Sequence, residues 1–549
     1  MPHPGPSDGR TPPSQAAAAE IGEALAAGRR DQALDLARRT IQAGLRPPLA
    51  LSVAARGEQE AGRFEAAITL LRLWIAQAPR EPAPWTALAQ ALQAARRPPA
   101  ALEAADRALE LAPQDGAALC AKAAVLQGLS RTAEAAVLLR QALAIDPNRG
   151  EAHLALALLA IERGDWAEAA GEAQALEAQP ALTAQRLWLQ ARVAVGRGDA
   201  GEAVAILAAL LALPSLAPDQ RANALLLRGE GLDALGDFPA AFEAAVAGKA
   251  VLRGFYAERA AGREAEPDKL RRLGAALAAA DPGPWRAPPP ATESGPAAGH
   301  AFLVGFPRSG TTLLEQVLAG HPQVESLEEA PTLAEAYEAY LAPGADLDRL
   351  ARLAPDEAQA WRARYWAAVR AAGGRPDGKL FLDKAPAGTL YLPLIAKLFP
   401  DAKVLLALRD PRDVVLSCLR NQFQMNAMTY AFTDLAAAAD CYDACMGMAQ
   451  TYRRVLPLDL TEVRHETLVE DFAGESARIA AVLGLAVEAG MADVAATAAR
   501  RGVRTPSAPQ LREGLSRRGL GRWRAYQAQL APVLDRLAPW AARFGYPPA

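Results

Sequence analysis

The sequence predicts a helical-repeat solenoid followed by an α/β domain built on a central parallel sheet. Two features carry this expectation. Residues recur at a fixed period of 34 in the first half, and short apolar runs alternate with helical segments in the second. A proline-rich stretch marks the passage between them.

At 549 residues the chain is too long for one hydrophobic core. Apolar residues make up 51% and charged residues 22%, ordinary values for a folded protein, and 6% aromatics with abundant Ala and Leu favour helix. A net charge of -3 excludes bulk nucleic-acid binding, which requires a basic excess. Four scattered cysteines, at 120, 418, 441 and 445, make no disulfide framework. Cys441 and Cys445 read as packing residues on a helix, since no second Cys or His pair accompanies them. The segment 1–15 has no apolar h-region, and no run of ~18 apolar residues occurs, so neither a secretory signal nor a membrane span is expected. The expected compartment is the cytoplasm.

The repeat stands on three columns. Pro79, Pro113 and Pro147 are 34 apart, with Pro180 following at 33; Ala55, Ala89, Ala123 and Ala157 keep the period, as do Ala67, Ala101, Ala135 and Ala169. Two antiparallel helices per unit account for this. Alanines allow close backbone approach, and a proline ends the second helix because it lacks the N–H. Turns such as Ala61-Gly62-Arg63 and Arg163-Gly164-Asp165 separate the helices. The pattern resembles tetratricopeptide repeats, with Trp85 and Leu88 at large-residue positions. Less regular units lie near 15–46, 183–217 and 221–254, giving about six or seven in all, enough to bury a stacked core. The expected organisation is a disordered N-terminus over 1–14, the repeat array over 15–280, a linker over 281–298 and the α/β domain over 299–549.

In that last region Ala301–Gly305, Leu380–Asp383, Val404–Leu408 and Leu460–Arg464 read as strands of a parallel sheet. The first runs into Gly305-Phe-Pro-Arg-Ser-Gly-Thr-Thr312, a strand-loop-helix that exposes backbone N–H groups at the positive end of a helix, a good anion site. Its frame is that of a P-loop, but Thr311 stands where the lysine serving a triphosphate would be, and Arg308 lies inside the loop. This suits a donor whose single 5′-phosphate carries a sulfuryl group and requires no magnesium. Arg308 would face the transferring group, and the hydroxyls of Ser309, Thr311 and Thr312 the phosphate. In a second strand-turn-helix, Arg409 ends the strand and Ser417 follows eight residues on, placed to grip a second phosphate.

Together, PRSGTT and LRDPRDVVLSC resemble the 5′-phosphosulfate loop and 3′-phosphate motif of sulfotransferases. The likeness covers about residues 298–549 and is greatest to tyrosylprotein sulfotransferases and to bacterial proteins joining tetratricopeptide repeats to such a domain. It implies 3′-phosphoadenosine 5′-phosphosulfate as co-substrate, no metal, and Pro307, Arg308, Ser309, Gly310, Thr311 and Thr312 as the donor loop. It further implies Glu329 as catalytic base, Lys384 near the leaving group, Arg409 and Ser417 on the 3′-phosphate, and Ser507, Arg517 and Arg518 as further donor contacts. His321 is the rival base. Where the tyrosylprotein enzymes carry a second Arg, this chain has Asn421, with Arg420 one position earlier and rotated by about 100° on a helix. Trp523 is expected to pack the C-terminal helix, and His465 to be structural.

The function expected is sulfuryl transfer to an acceptor hydroxyl, tyrosine in a polypeptide being one candidate and saccharide, lipid or small phenol the others. The repeats would recruit a protein or peptide, or hold copies of the chain together as a homo-oligomer. The missing lysine counts strongly against a P-loop kinase or ATPase. The alternative is a non-catalytic scaffold with a nucleotide-binding, sulfotransferase-like domain.

Overall fold

The computed structural model describes residues 12–129, 131–287, 295–501 and 514–549. It separates into two compact units, Met1–Val193 and Ala194–Ala549.

The first unit is all helix. Five antiparallel pairs run from Pro13–Ala26 with Arg30–Gln42 to Gly150–Arg163 with Trp166–Ala175. The eight periodic alanines are all buried, so the period marks the face along which paired helices touch. Ala78, Ala112 and Asp146 leave the helix with φ of -133°, -144° and -135°. Each precedes a proline, whose ring excludes helical backbone at the residue before it. Gly62 and Gly164 turn in the left-handed region at φ 73° and 76°; Arg96 holds the equivalent position at φ 58°. Adjoining pairs share apolar clusters, such as Leu88, Leu92, Ala101 and Val125. Helices also occupy the flanking stretches, as Thr183–Arg197, Ala200–Leu211, Pro218–Ala234 and Phe238–Ala260.

The second unit contains a five-stranded sheet: β1 Gly299–Gly305, β2 Val324–Glu328, β3 Leu380–Lys384, β4 Lys403–Leu408 and β5 Asp459–Arg464. All neighbours are parallel, in the order β2-β3-β1-β4-β5. Successive side chains of a strand point to opposite faces, and here both faces are covered. Phe302, Val304, Phe381, Val404 and Leu406 meet one set of helices, and Ala301, Leu303, Leu382, Leu405 and Ala407 the other. Four of these strands are those expected from apolar runs. The fifth, β2, is Val-Glu-Ser-Leu-Glu, a half-buried edge strand with only two buried positions.

Helices preceding the sheet contribute to the same core. Leu232, Ala241, Ala244, Leu270, Leu273 and Leu277 cluster with Phe302 and Val404. Within the proline-rich stretch, Pro282–Arg286 forms a short helix capped by Asp281, and Trp285 is fully buried. Cys418, Cys441 and Cys445 are free and buried in this core. Among the described residues, no helix is long and apolar enough to cross a membrane.

Candidate functional site

A parallel sheet gathers chemistry at the carboxyl ends of its strands, above all where the chain reverses its direction of winding. Here the chain moves from β1 to β2 and β3 on one side and then to β4 and β5 on the other, so the reversal lies between β1 and β4. The loop Phe306–Gly310 follows β1, Glu329 follows β2, Lys384 ends β3, Arg409 follows β4 and His465 follows β5. His321 lies before β2, at the opposite, amino end of that strand, so the topology brings Glu329 rather than His321 to this cluster. The His321 Nδ1 instead accepts from the Gln323 N–H at 3.1 Å.

The loop has the form of an anion cradle. Gly310 is the residue before helix Thr311–Ala319, with φ 92°, and no side chain caps that helix. The N-terminus of a helix, with its N–H groups and positive dipole end, is a place that favours an anion. A Cβ at Gly310 would lie 2.5 Å from His465 Nδ1, so the position demands glycine for space as well as for backbone sign. Arg308 is also left-handed, at φ 73°. Ser309, Thr311 and Thr312 are buried around the loop.

Two guanidiniums meet beside it. Arg308 and Arg409 are only 8% and 9% exposed. The Arg308 Nε donates to Ser417 Oγ at 2.8 Å, and Arg409 donates to the carbonyls of Arg308, at 3.2 Å, and Gly519, at 2.5 Å. The Arg409 Nε is buried and has no hydrogen-bond partner among the described residues. Burial, then the charge of Arg409, brings the Arg308 pKa down to about 10. Burial and both arginines push His465 down to about 3, so it is neutral, and its Nδ1 is also without a partner among the described residues. Sequence reasoning set His465 aside; its place at a strand end, like that of Lys384 and Arg409, was the available signal.

A second cluster surrounds Lys384, which is fully buried. Its ammonium lies 2.9 Å from Glu328 Oε1, 2.9 Å from Glu329 Oε1 and 3.5 Å from Glu315 Oε2. Burial would lower its pKa, but the carboxylates outweigh that and raise it, so it stays charged. Glu315, wholly buried on helix Thr311–Ala319, also accepts from Ser326 Oγ at 2.9 Å and Arg501 at 3.3 Å. Burial nonetheless raises its pKa. The Glu329 side chain is half exposed, and its φ of 49° turns the chain away from β2. By its bond to Ser417, Arg308 joins the Arg409 group rather than this one.

The helix Pro411–Arg420 carries Ser417 in its last turns. The Asn421 side-chain amide donates to the Ser417 carbonyl at 2.8 Å and to Ser417 Oγ at 3.2 Å. Arg420 points elsewhere: it pairs with Asp233 at 3.0 Å and lies over the Tyr526 ring. Arg420 therefore does not stand in for an arginine at 421. The buried Trp523 ring packs under Arg412 at 3.8 Å, in keeping with a structural place for that ring, and the Trp523 backbone N–H donates to Asp413 Oδ1 at 2.8 Å. Arg517 and Arg518 are exposed, just before Gly519. Ser507 lies outside the described residues.

Residues 301–489 match the sulfotransferase family. An uncharacterized protein of Aquifex aeolicus (strain VF5) is 27% identical over 243 residues, which is 43% of this chain and 32% of that protein. Protein-tyrosine sulfotransferase 1 of Danio rerio is 30% identical over 145 residues, 26% of this chain and 39% of the relative. The chain thus spans about a third of the length of these curated relatives. A solved thermophilic tetratricopeptide-repeat protein of Thermus thermophilus aligns with TM-score 0.30 and 26% identity, covering 34% of this chain and 98% of that one. With the parallel sheet, the loop after β1 and the arginine after β4 in place, residues 301–489 form a sulfotransferase-family domain, joined in this chain to tetratricopeptide-type repeats.

Proposed function

We propose that the chain transfers a sulfuryl group from 3′-phosphoadenosine 5′-phosphosulfate to an acceptor hydroxyl, tyrosine in a peptide recruited by the repeats being the acceptor class. The observation that carries this is the meeting of Arg308 and Arg409, buried like charges joined at 3.2 Å through the Arg308 carbonyl, beside an uncapped helix N-terminus. Two guanidiniums brought together at the carboxyl ends of the strands suit an anion with more than one phosphate group. Without the triphosphate lysine, the loop suits a 5′-phosphate.

The donor supplies a sulfuryl group already attached to a phosphate leaving group. The chain supplies the rest. The loop amides and the hydroxyls of Ser309, Thr311 and Thr312 hold the 5′-phosphate; Arg409 and Ser417 hold the 3′-phosphate. Arg308 lies between these two groups of residues and neutralises charge on both. Glu329, half exposed, takes the acceptor proton, and Lys384 orients its carboxylate. Charge placed in advance where it will be needed is the main means by which such a site lowers a barrier. Arg517, Arg518 and Ser507 are further donor contacts in this reading.

Calorimetric titration with adenosine 3′,5′-bisphosphate, adenosine 5′-phosphate and magnesium ATP tests the proposal. The bisphosphate should bind about tenfold tighter or more, and Arg409→Ala should abolish the preference. Equal binding of the two adenosine phosphates, or preference for magnesium ATP, would sink it.

A further inference from the structure

Lys249 belongs to helix Phe238–Ala260, among the repeat-type helices, yet its ammonium ends at the tip of helix Pro411–Arg420. It is 2% exposed and donates to the Asn421 carbonyl at 2.6 Å. The Phe423 ring lies 5.3 Å away. An ammonium has three donors, and no carboxylate among the described residues forms an ion pair with this one. Desolvation brings its pKa down to about 8.

The hydrogen bonds lead from Lys249 to the proposed 3′-phosphate group. Lys249 holds the Asn421 carbonyl, the Asn421 amide holds Ser417 Oγ at 3.2 Å, and the same oxygen accepts from Arg308 at 2.8 Å. The charges of Arg308, Lys249 and Arg409 all act on the one buried thiol of Cys418. Ser417 and Asn421 stand at the C-terminal end of their helix, the negative pole, where an anion is disfavoured. The helix's own terminal cation, Arg420, is committed to Asp233. A phosphate at Ser417 therefore draws on cations of other elements, Arg308 and Arg409 first among them.

We propose that Lys249 adds to this charge: a specificity-determining residue, supplied by a repeat-type helix, that makes the Ser417–Asn421 end of the pocket select a 3′-phosphate. The inference rests on the donor reading above. It makes helix Phe238–Ala260 a working part of the donor site rather than only a neighbour in the fold.

The test is calorimetric binding of adenosine 3′,5′-bisphosphate and adenosine 5′-phosphate to the full chain, as wild type, Lys249→Gln, Lys249→Met and Lys249→Arg. The Gln and Met variants should lose about 10–100-fold in bisphosphate affinity, as for one charge-assisted contact, while holding adenosine 5′-phosphate as wild type does. Lys249→Arg should restore the preference. Met keeps the buried apolar stem, so it serves if Gln fails to fold. An unchanged ratio of the two affinities in either variant overturns the inference, and so does equal weakening of both ligands, the mark of a structural clamp. A wild type that does not prefer the bisphosphate would instead overturn the donor reading itself.

Discussion

The Glu329 N–H donates to the Lys384 carbonyl at 2.7 Å, and the Lys384 ammonium returns to the Glu329 carboxylate at 2.9 Å. The proposed base and its cation are thus tied through backbone and side chain at the ends of adjacent strands. The left-handed φ of Glu329 is a part of that closure.

Glu329→Gln keeps the shape and removes the base. Sulfuryl transfer to a tyrosine peptide, followed with labelled donor, should fall about 10²–10⁴-fold, with bisphosphate binding unchanged. Lys384→Met should behave differently. It leaves Glu315 buried without its ammonium and should cost about 3–5 kcal/mol in urea unfolding. Near-normal transfer by Glu329→Gln would exclude this carboxylate as the base.

Gly310→Ala places a methyl group 2.5 Å from His465 Nδ1 on a backbone at φ 92°. We expect a loss of about 1–3 kcal/mol in stability, with adenosine bisphosphate binding lost as the loop is displaced. Calorimetry on the folded variant checks this, and wild-type affinity would contradict the cradle.

Asp233 is a junction: Arg420 and Arg522 reach its two oxygens at 3.0 and 2.8 Å, and Tyr526 donates to it as well. Burial would raise its pKa, but the two arginines and the tyrosine lower it. Asp233→Ala should destabilise by about 3 kcal/mol, read from urea midpoints. Arg420→Ala should lose stability while keeping the bisphosphate preference. A lost preference there would show Arg420 to be a phosphate contact after all.

Asp383 supplies a pH test. Thr332 and Tyr365 donate to its Oδ2 at 2.8 and 2.9 Å, and burial pushes the carboxyl up to about 6. The folded chain binds this proton more tightly than the unfolded one, whose Asp titrates near ~3.9. The stability it confers is therefore complete below about pH 4 and is lost as pH rises through about 6. Asp383→Asn keeps an acceptor for both hydroxyls and should lack that loss, standing roughly 2 kcal/mol above wild type at pH 7. Parallel stability–pH curves would refute the shift.

The sequence showed most clearly what is local. Periodic alanines and prolines act within one helix pair, and Arg308, Arg409 and Ser417 each lie within one strand-turn-helix, so a single reading frame exposes them. β2 escaped because Val324–Glu328 alternates over only five residues at an edge and carries no apolar run. Lys249 escaped because 172 positions separate it from Asn421, and nothing in a helical pattern tells which neighbour a buried lysine will meet. Glu315 belongs to no motif in the sequence; it lies four residues from Thr311, on the buried Thr311 face of its helix, 3.5 Å from the Lys384 ammonium.

Trp285, Leu270, Leu273 and Leu277 share one apolar cluster with Phe302, Phe381 and Val404. The proline-rich stretch looks like a seam, yet a gene exchange cut there would divide a continuous core and leave both offspring with bare leucines. The compact second unit begins well upstream of that stretch, at Ala194, so its leading helices fold together with the sheet.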